Sequence, residues 1–134
     1  MLQIPQNLCT DLTDEQASTV QGGLFVVIDK IQNIKAGADS NSGALGGADD
    51  TYVTINGNKV FEGKFQTGDT REVGIGREAG DVASIRLFDE DGVLRGQDDP
   101  LGGFTVSSPT SGTKIATVSG SGSVYEVYYQ AFNL

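Results

Sequence analysis

Over residues 24–134 the chain runs in short stretches of alternating apolar and polar residues, separated by clusters of turn-forming ones. A period of two is the mark of strands with one face buried. Residues 24–36 form the longest stretch, with Val26, Ile28 and Ile34 in partial alternation. Thr51-Tyr52-Val53-Thr54-Ile55 alternates, and Asn56-Gly57-Asn58 then turns the chain into Lys59-Val60-Phe61-Glu62. Asn-Gly between two β-rich runs predicts a hairpin, because both residues accept the positive φ a tight turn requires. Residues 70–75, 82–88, 103–106, 114–118 and 124–132 complete a set of seven or eight strands. Turn signals recur about every 8–15 residues and no helical period follows Gly23, so the pattern predicts an all-β fold, an antiparallel eight-stranded sandwich.

Residues 1–23 follow a different pattern. Leu12-Thr13-Asp14-Glu15-Gln16-Ala17-Ser18-Thr19-Val20-Gln21-Gly22-Gly23 predicts a short helix, with Thr13 as N-cap, acids in the first turn and the glycine pair as its stop. Leu12, Ala17 and Val20 ahead of Gly-Gly also make this segment resemble a double-glycine leader of the bacteriocin type. Gln16 stands where that family often has Glu. The resemblance implies export and removal of the segment; the other reading is a helix packed on the sandwich, or a tail, of a cytoplasmic protein. The expected division is thus a leader-like segment, 1–23, and a sandwich, 24–134. A secretory signal peptide is excluded by the lack of a basic start and an apolar central run. No stretch approaches the roughly 20 apolar residues of a spanning helix, so the chain is expected not to be transmembrane.

Composition narrows the chemistry. A length of 134 residues suits one domain with a real core. Histidine is absent, which removes Ser-His-Asp and Cys-His catalysis and His-containing zinc or iron sites. Cys9 is the only cysteine and has no intrachain partner for a disulfide. A formal charge of −9 repels nucleic acid and anionic membranes unless something neutralises it first. The natural partner of such a chain is a cation.

The acids are concentrated. Asp39, Asp49 and Asp50 fall in the glycine-rich connection after the first strand, and Asp89, Glu90, Asp91, Asp98 and Asp99 in that after residues 82–88, so eight of 18 acidic residues occupy two connections. Calcium takes about six to eight oxygen ligands, many from carboxylates, and would relieve the repulsion between these groups. Linear calcium motifs do not explain them. An EF-hand loop beginning at Asp89 would have Leu94 in place of its glycine and Pro100 in place of its bidentate glutamate. Gly46-Gly47-Ala48-Asp49-Asp50 looks like half a calcium β-roll repeat, but it occurs once where several are needed.

Three segments together resemble a C2 domain, the calcium-dependent lipid-binding sandwich. Asp50-Thr51-Tyr52-Val53-Thr54-Ile55 is similar to that family's Asp-Pro-Tyr-Val stretch, with Thr51 replacing proline; Phe88-Asp89-Glu90-Asp91 is similar to its aromatic-Asp-x-Asp; and Asp99-Pro100-Leu101-Gly102 matches its Asp-x-x-Gly. The final Val124-Tyr125-Glu126-Val127-Tyr128-Tyr129 suits its last strand. The resemblance implies calcium (Ca2+) held by Asp50, Asp89, Asp91 and Asp99, with Asp39, Asp49 and Asp98 as secondary candidates. Ala44 stands where the family usually has a further aspartate, and Asp39 would serve there only if the intervening segment loops out. In calcium-dependent members the ions bridge carboxylates to lipid phosphates while apolar loop tips enter the bilayer; here the tips would be Ala44-Leu45 and Val93-Leu94-Arg95. The expected function is therefore calcium-dependent docking to an anionic membrane or partner surface, without catalysis. The alternatives are a calcium-stabilised structural protein that assembles with copies of itself, and a calcium-dependent glycan-binding module.

Overall fold

The alternating runs fold as eight strands, seen in a computed structural model that describes residues 23–37, 48–90 and 98–134. In chain order they are β1 (Leu24–Lys35), β2 (Asp49–Ile55), β3 (Asn58–Phe65), β4 (Thr70–Gly80), β5 (Ala83–Asp89), β6 (Asp99–Val106), β7 (Lys114–Gly120) and β8 (Ser123–Asn133). No helix occurs among the described residues, and the helical and leader-like readings of residues 1–22 lie outside them. The strands form two four-stranded antiparallel sheets, ordered β4-β1-β8-β7 and β3-β2-β5-β6. No described helix is long and apolar enough to cross a membrane.

Local sequence explains the departures from simple alternation. In β1 the register slips between Ile28 and Lys30: against β8 one extra residue, Asp29, is inserted in β1, and against β4 the extra residue lies in β4. A bulge of this kind flips the phase of all that follows. Leu24, Val26 and Ile28 therefore point inward before it, and Ile31 and Asn33 after it. Ile34, expected on the buried phase, is instead 42% exposed. At the β2–β3 hairpin Asn56 and Gly57 both adopt positive φ, 50° and 84°, as a two-residue turn matching the strand twist demands.

Between the sheets lie Val26, Ile28, Ile31, Val53, Ile55, Phe65, Ile85, Leu87, Leu101, Tyr125 and Val127, all sealed from solvent. Burying each aliphatic side chain contributes about 1.5–3 kcal/mol, and this core holds the sheets together. Along one border the sheets come into backbone contact. A Cβ on Gly102 would sit 2.7 Å from the Ser119 carbonyl oxygen, and one on Gly120 would sit 2.7 Å from that of Pro100. Ser121 Oγ also donates to the Pro100 carbonyl at 2.9 Å. At one pole the ends of the sandwich meet, the Leu134 N–H donating to the Gly23 carbonyl at 3.2 Å. At the opposite pole gather the starts of β2, β6 and β8 and the ends of β1, β3, β5 and β7, as the pairings Asp49 to Phe65, Asp89 to Asp99 and Lys35 to Val124 require.

Candidate functional site

Five of the seven candidate carboxylates are described, and all five stand at this second pole. β2 opens on Asp49-Asp50, and successive residues of a strand face opposite sides. Asp49 points inward and is fully buried. Its Oδ2 accepts hydrogen bonds from Ser123 Oγ at 2.6 Å and from the Tyr125 hydroxyl at 2.8 Å. With the Tyr125 proton committed to Asp49, the 2.6 Å contact between Thr51 Oγ1 and the Tyr125 oxygen has Thr51 as donor. Ser123 Oγ in turn accepts the Gly37 N–H at 2.9 Å, which fixes the chain just beyond β1. A buried carboxylate needs such donors, since stripping it of water without them costs several kcal/mol.

Asp50 points outward, with Lys64 Nζ 3.5 Å from its Oδ1 and side-chain exposures of 41% and 77%. An ion pair so open contributes at most about 1 kcal/mol and yields readily to a stronger cation. Its backbone N–H donates to Asp89 Oδ1 at 2.6 Å, and its carbonyl accepts the Glu90 N–H at 2.7 Å. Asp89, the last residue of β5, is fully buried and pairs in register with Thr51 on one side and with half-buried Asp99 on the other. Asp98 is held from the outer face of the sheet, its Oδ2 accepting the Tyr52 hydroxyl at 2.6 Å. The Tyr52 ring stacks on Phe88 at 5.2 Å and lies 4.6 Å beneath Lys59 Nζ.

Asp39, Asp91 and the apolar tips Ala44-Leu45 and Val93-Leu94-Arg95 lie outside the described residues. Among the described residues no three acidic, histidine or cysteine side chains are close enough to hold a metal ion. The donors at this pole are all oxygens, the kind a hard cation such as calcium takes. They fit calcium in type.

Both anchoring tyrosines titrate high. Desolvation, then the hydrogen bond to Asp98 and the charge of that carboxylate, push Tyr52 up to about 12 from 10.0. Burial foremost raises Tyr125 far beyond the usual phenol range; the Asp49 carboxylate adds to this, and the Thr51 hydrogen bond partly offsets it. Buried Asn33, whose amide atoms make no hydrogen bond of good geometry among the described residues, also acts on Tyr125 in the lowering direction. A raised folded-state pKa means that the fold favours the neutral phenol. That contribution is whole below about pH 10, where an unfolded tyrosine is still protonated, and drains away as pH climbs through the folded values. Thermal melts should therefore show stability falling above about pH 10 in the wild type. The fall should be shallower in Tyr52→Phe; equal slopes would refute the assignment.

No family model matches the chain, and no curated protein does. Solved structures do. Extended-synaptotagmin 2, as a chain holding its SMP domain and its two C2 domains, superposes with a TM-score of 0.53 at 16% identity over 92% of this chain. The fold is C2-like. The two C2 domains of extended-synaptotagmin 2 without the SMP domain give 0.50 at 14% identity over 85% of the chain. Human GIVD cytosolic phospholipase A2, in complex with an inhibitor and terbium chloride, gives 0.50 at 16% identity over 84%. The C2-like sandwich spans 31%, 41% and 17% of those three longer chains, and at such identities the likeness is one of fold. Reading the sequence located the acidic pole of this sandwich but missed the side chains that organise it. Tyr52, Tyr125, Ser123 and Thr51 each occupy an ordinary strand position, and a hydroxyl on an alternating strand gives no sign of the partner the fold brings to it.

Proposed function

We propose that the C2-like sandwich binds calcium at its acidic pole, through Asp50, Asp89, Asp91 and Asp99, and thereby docks on an anionic membrane surface without catalysing a reaction. The convergence of Asp50, Asp89 and Asp99 on one pole, with Asp89 linked to the Asp50 amide at 2.6 Å, carries this reading. Bound calcium would supply positive charge to a chain of formal charge −9, which otherwise repels acidic lipid headgroups. The protein's own contribution is to hold the carboxylates in place and to keep Asp89 out of water until the cation arrives.

Co-sedimentation with phosphatidylserine-containing vesicles tests the proposal. The chain should pellet with vesicles in millimolar calcium and remain in the supernatant with chelator. Equal pelleting in both conditions, or none in either, counts against it.

One observation favours a second reading, calcium-stabilised assembly of copies of the chain. The outer face of the β4-β1-β8-β7 sheet carries a Phe25–Phe132 cross-strand pair, with Phe132 47% exposed, and, four residues along β8, Ile115 opposite Tyr128, 54% exposed. Apolar groups left open on a sheet face suit a partner. Sedimentation velocity without lipid distinguishes the two, because only assembly predicts a calcium-dependent gain in mass. The glycan alternative has less behind it, since Tyr52 and Phe88 stack on each other and lie under Lys59 and Arg86.

A further inference from the structure

We infer that the chain associates with a second copy of itself through the open edge of β7, the two strands running antiparallel about a two-fold axis at Ile115. The inference needs no cation and is independent of the calcium reading.

Each four-stranded sheet has two outer strands, and an outer strand offers unpaired N–H and C=O groups to any strand that can reach them. Charges, proline and bulges are the devices that keep such edges from pairing. Three of the four outer strands are guarded in this way. β3 carries Lys59, Glu62 and Lys64 and a register break against β2. β4 carries Arg71, Glu72, Arg77 and Glu78 and breaks register twice against β1. β6 has Pro100, which brings no N–H, and a break against β5. β7 has only the charge of Lys114, at its first residue. Ile115-Ala116-Thr117-Val118-Ser119-Gly120 follows uncharged, and the pairing with β8 runs from Lys114 to Gly120 without a slip.

Part of this edge is already covered. The β6 backbone lies against Val118, Ser119 and Gly120 at the border where the sheets touch, which leaves Lys114–Thr117 as the open length. Ile115 stands in that length and is 54% exposed, the most open large apolar side chain among the described residues.

Charge and symmetry select a second copy as the partner. The chain carries −9, so two copies repel over most of their surface, yet residues 100–125 hold a single charge, that of Lys114. A second copy can approach β7 and its flanks with little repulsion. An antiparallel pair of identical strands is closed by its two-fold axis, so the contact is complete at two copies. For the outer faces of both copies to lie on one side, residues of like parity must stand opposite. Centring the axis on Ile115 meets that condition. Ile115 then faces Ile115 of the second copy and Thr113 faces Thr117, both favourable cross-strand pairs, while Lys114 meets Ala116 and not its own copy. The axis also turns the second copy end for end, so the pair presents one acidic pole at each end.

Sedimentation velocity of the full chain over a concentration series, in chelator and again in calcium, tests this. The wild type should reach twice its monomer mass in both. Ile115→Lys sets two ammonium groups opposite each other and should weaken association at least about tenfold, with an unchanged circular dichroism spectrum. Ile34→Lys alters an apolar residue exposed on β1 and should leave association as it is. Crosslinking in a Cys9→Ser background checks the register. With Ile115→Cys added, mild oxidation should join two chains; with Thr117→Cys it should not, since the two copies of that position lie about 13 Å apart along the strands. A wild type that stays monomeric, an Ile115→Lys variant that pairs as tightly as the wild type, equal loss in Ile34→Lys, or a link at 117 as ready as that at 115 overturns the inference. A mass gain in calcium alone also overturns it and points to calcium-stabilised assembly. No calcium binding by the wild-type chain would sink the proposed function and leave this inference standing.

Discussion

Calcium at about a hundred times its dissociation constant should raise the melting temperature of the wild-type chain by on the order of 10 °C, and the Asp89→Asn/Asp91→Asn variant should lose the rise. The estimate follows from linkage. A ligand that binds only the folded state at that excess adds about 2.7 kcal/mol, and a domain of this size gains a few degrees per kcal/mol. Asp89 is the key residue because it is fully buried between Thr51 and Asp99 and accepts the Asp50 amide. Asparagine can still accept that amide, so the variant should fold while offering the ion two fewer charges. Differential scanning calorimetry with calcium and with chelator is the measurement. A wild type that shows no shift in millimolar calcium would overturn the central claim.

A single methyl group on Gly102 should destabilise the sandwich by about 3 kcal/mol, among the larger effects expected of any one substitution. Gly102 adopts φ +111°, where an L side chain is strained, and its Cβ would meet the Ser119 oxygen at 2.7 Å and the Ser119 nitrogen at 2.9 Å. These are backbone atoms of the facing strand, so β6 and β7 would have to part along the border where the sheets touch. Gly74→Ala isolates the conformational part of the cost. Its φ is +62° and nothing lies within 4 Å of the added atom, so it should lose only about 1 kcal/mol. Urea unfolding in chelator gives both numbers, and similar losses for the two variants would show that contact along the border is unimportant.

The strands were legible because half-buried strands must alternate, and every run read from the sequence corresponds to one of them. Their limits were less so. β4 continues past Ile75 to Gly80 through Gly74 and Gly76, residues that weaken any strand pattern, and Gly76 leaves room for the Phe25 ring. β6 begins at Asp99, within the segment Asp98-Asp99-Pro100 that reads as loop, because pairing with β5 outweighs local preference. The phase of β1 after Asp29 was invisible, since its bulge is set by the pairing with β8 and not by its own residues. At the acidic pole, carboxylate-rich connections stand out in any sequence. Which carboxylate is held, and by what, depends on hydroxyls brought from 46 to 76 residues away, and only the folded sandwich brings them together.

The hydrogen bond between Leu134 and Gly23 has a consequence for how this sandwich can be wired. Its two ends lie side by side at the pole away from the carboxylates, so the order of the strands along the chain is close to a closed ring. A short peptide bridging residues 134 and 23 would leave every strand pairing in place, with fresh ends opened in the exposed 107–109 stretch. The same adjacency makes residues 23–134 a cassette. Spliced into a surface loop of another protein, it would enter and leave the host at one point and present its acidic pole outward.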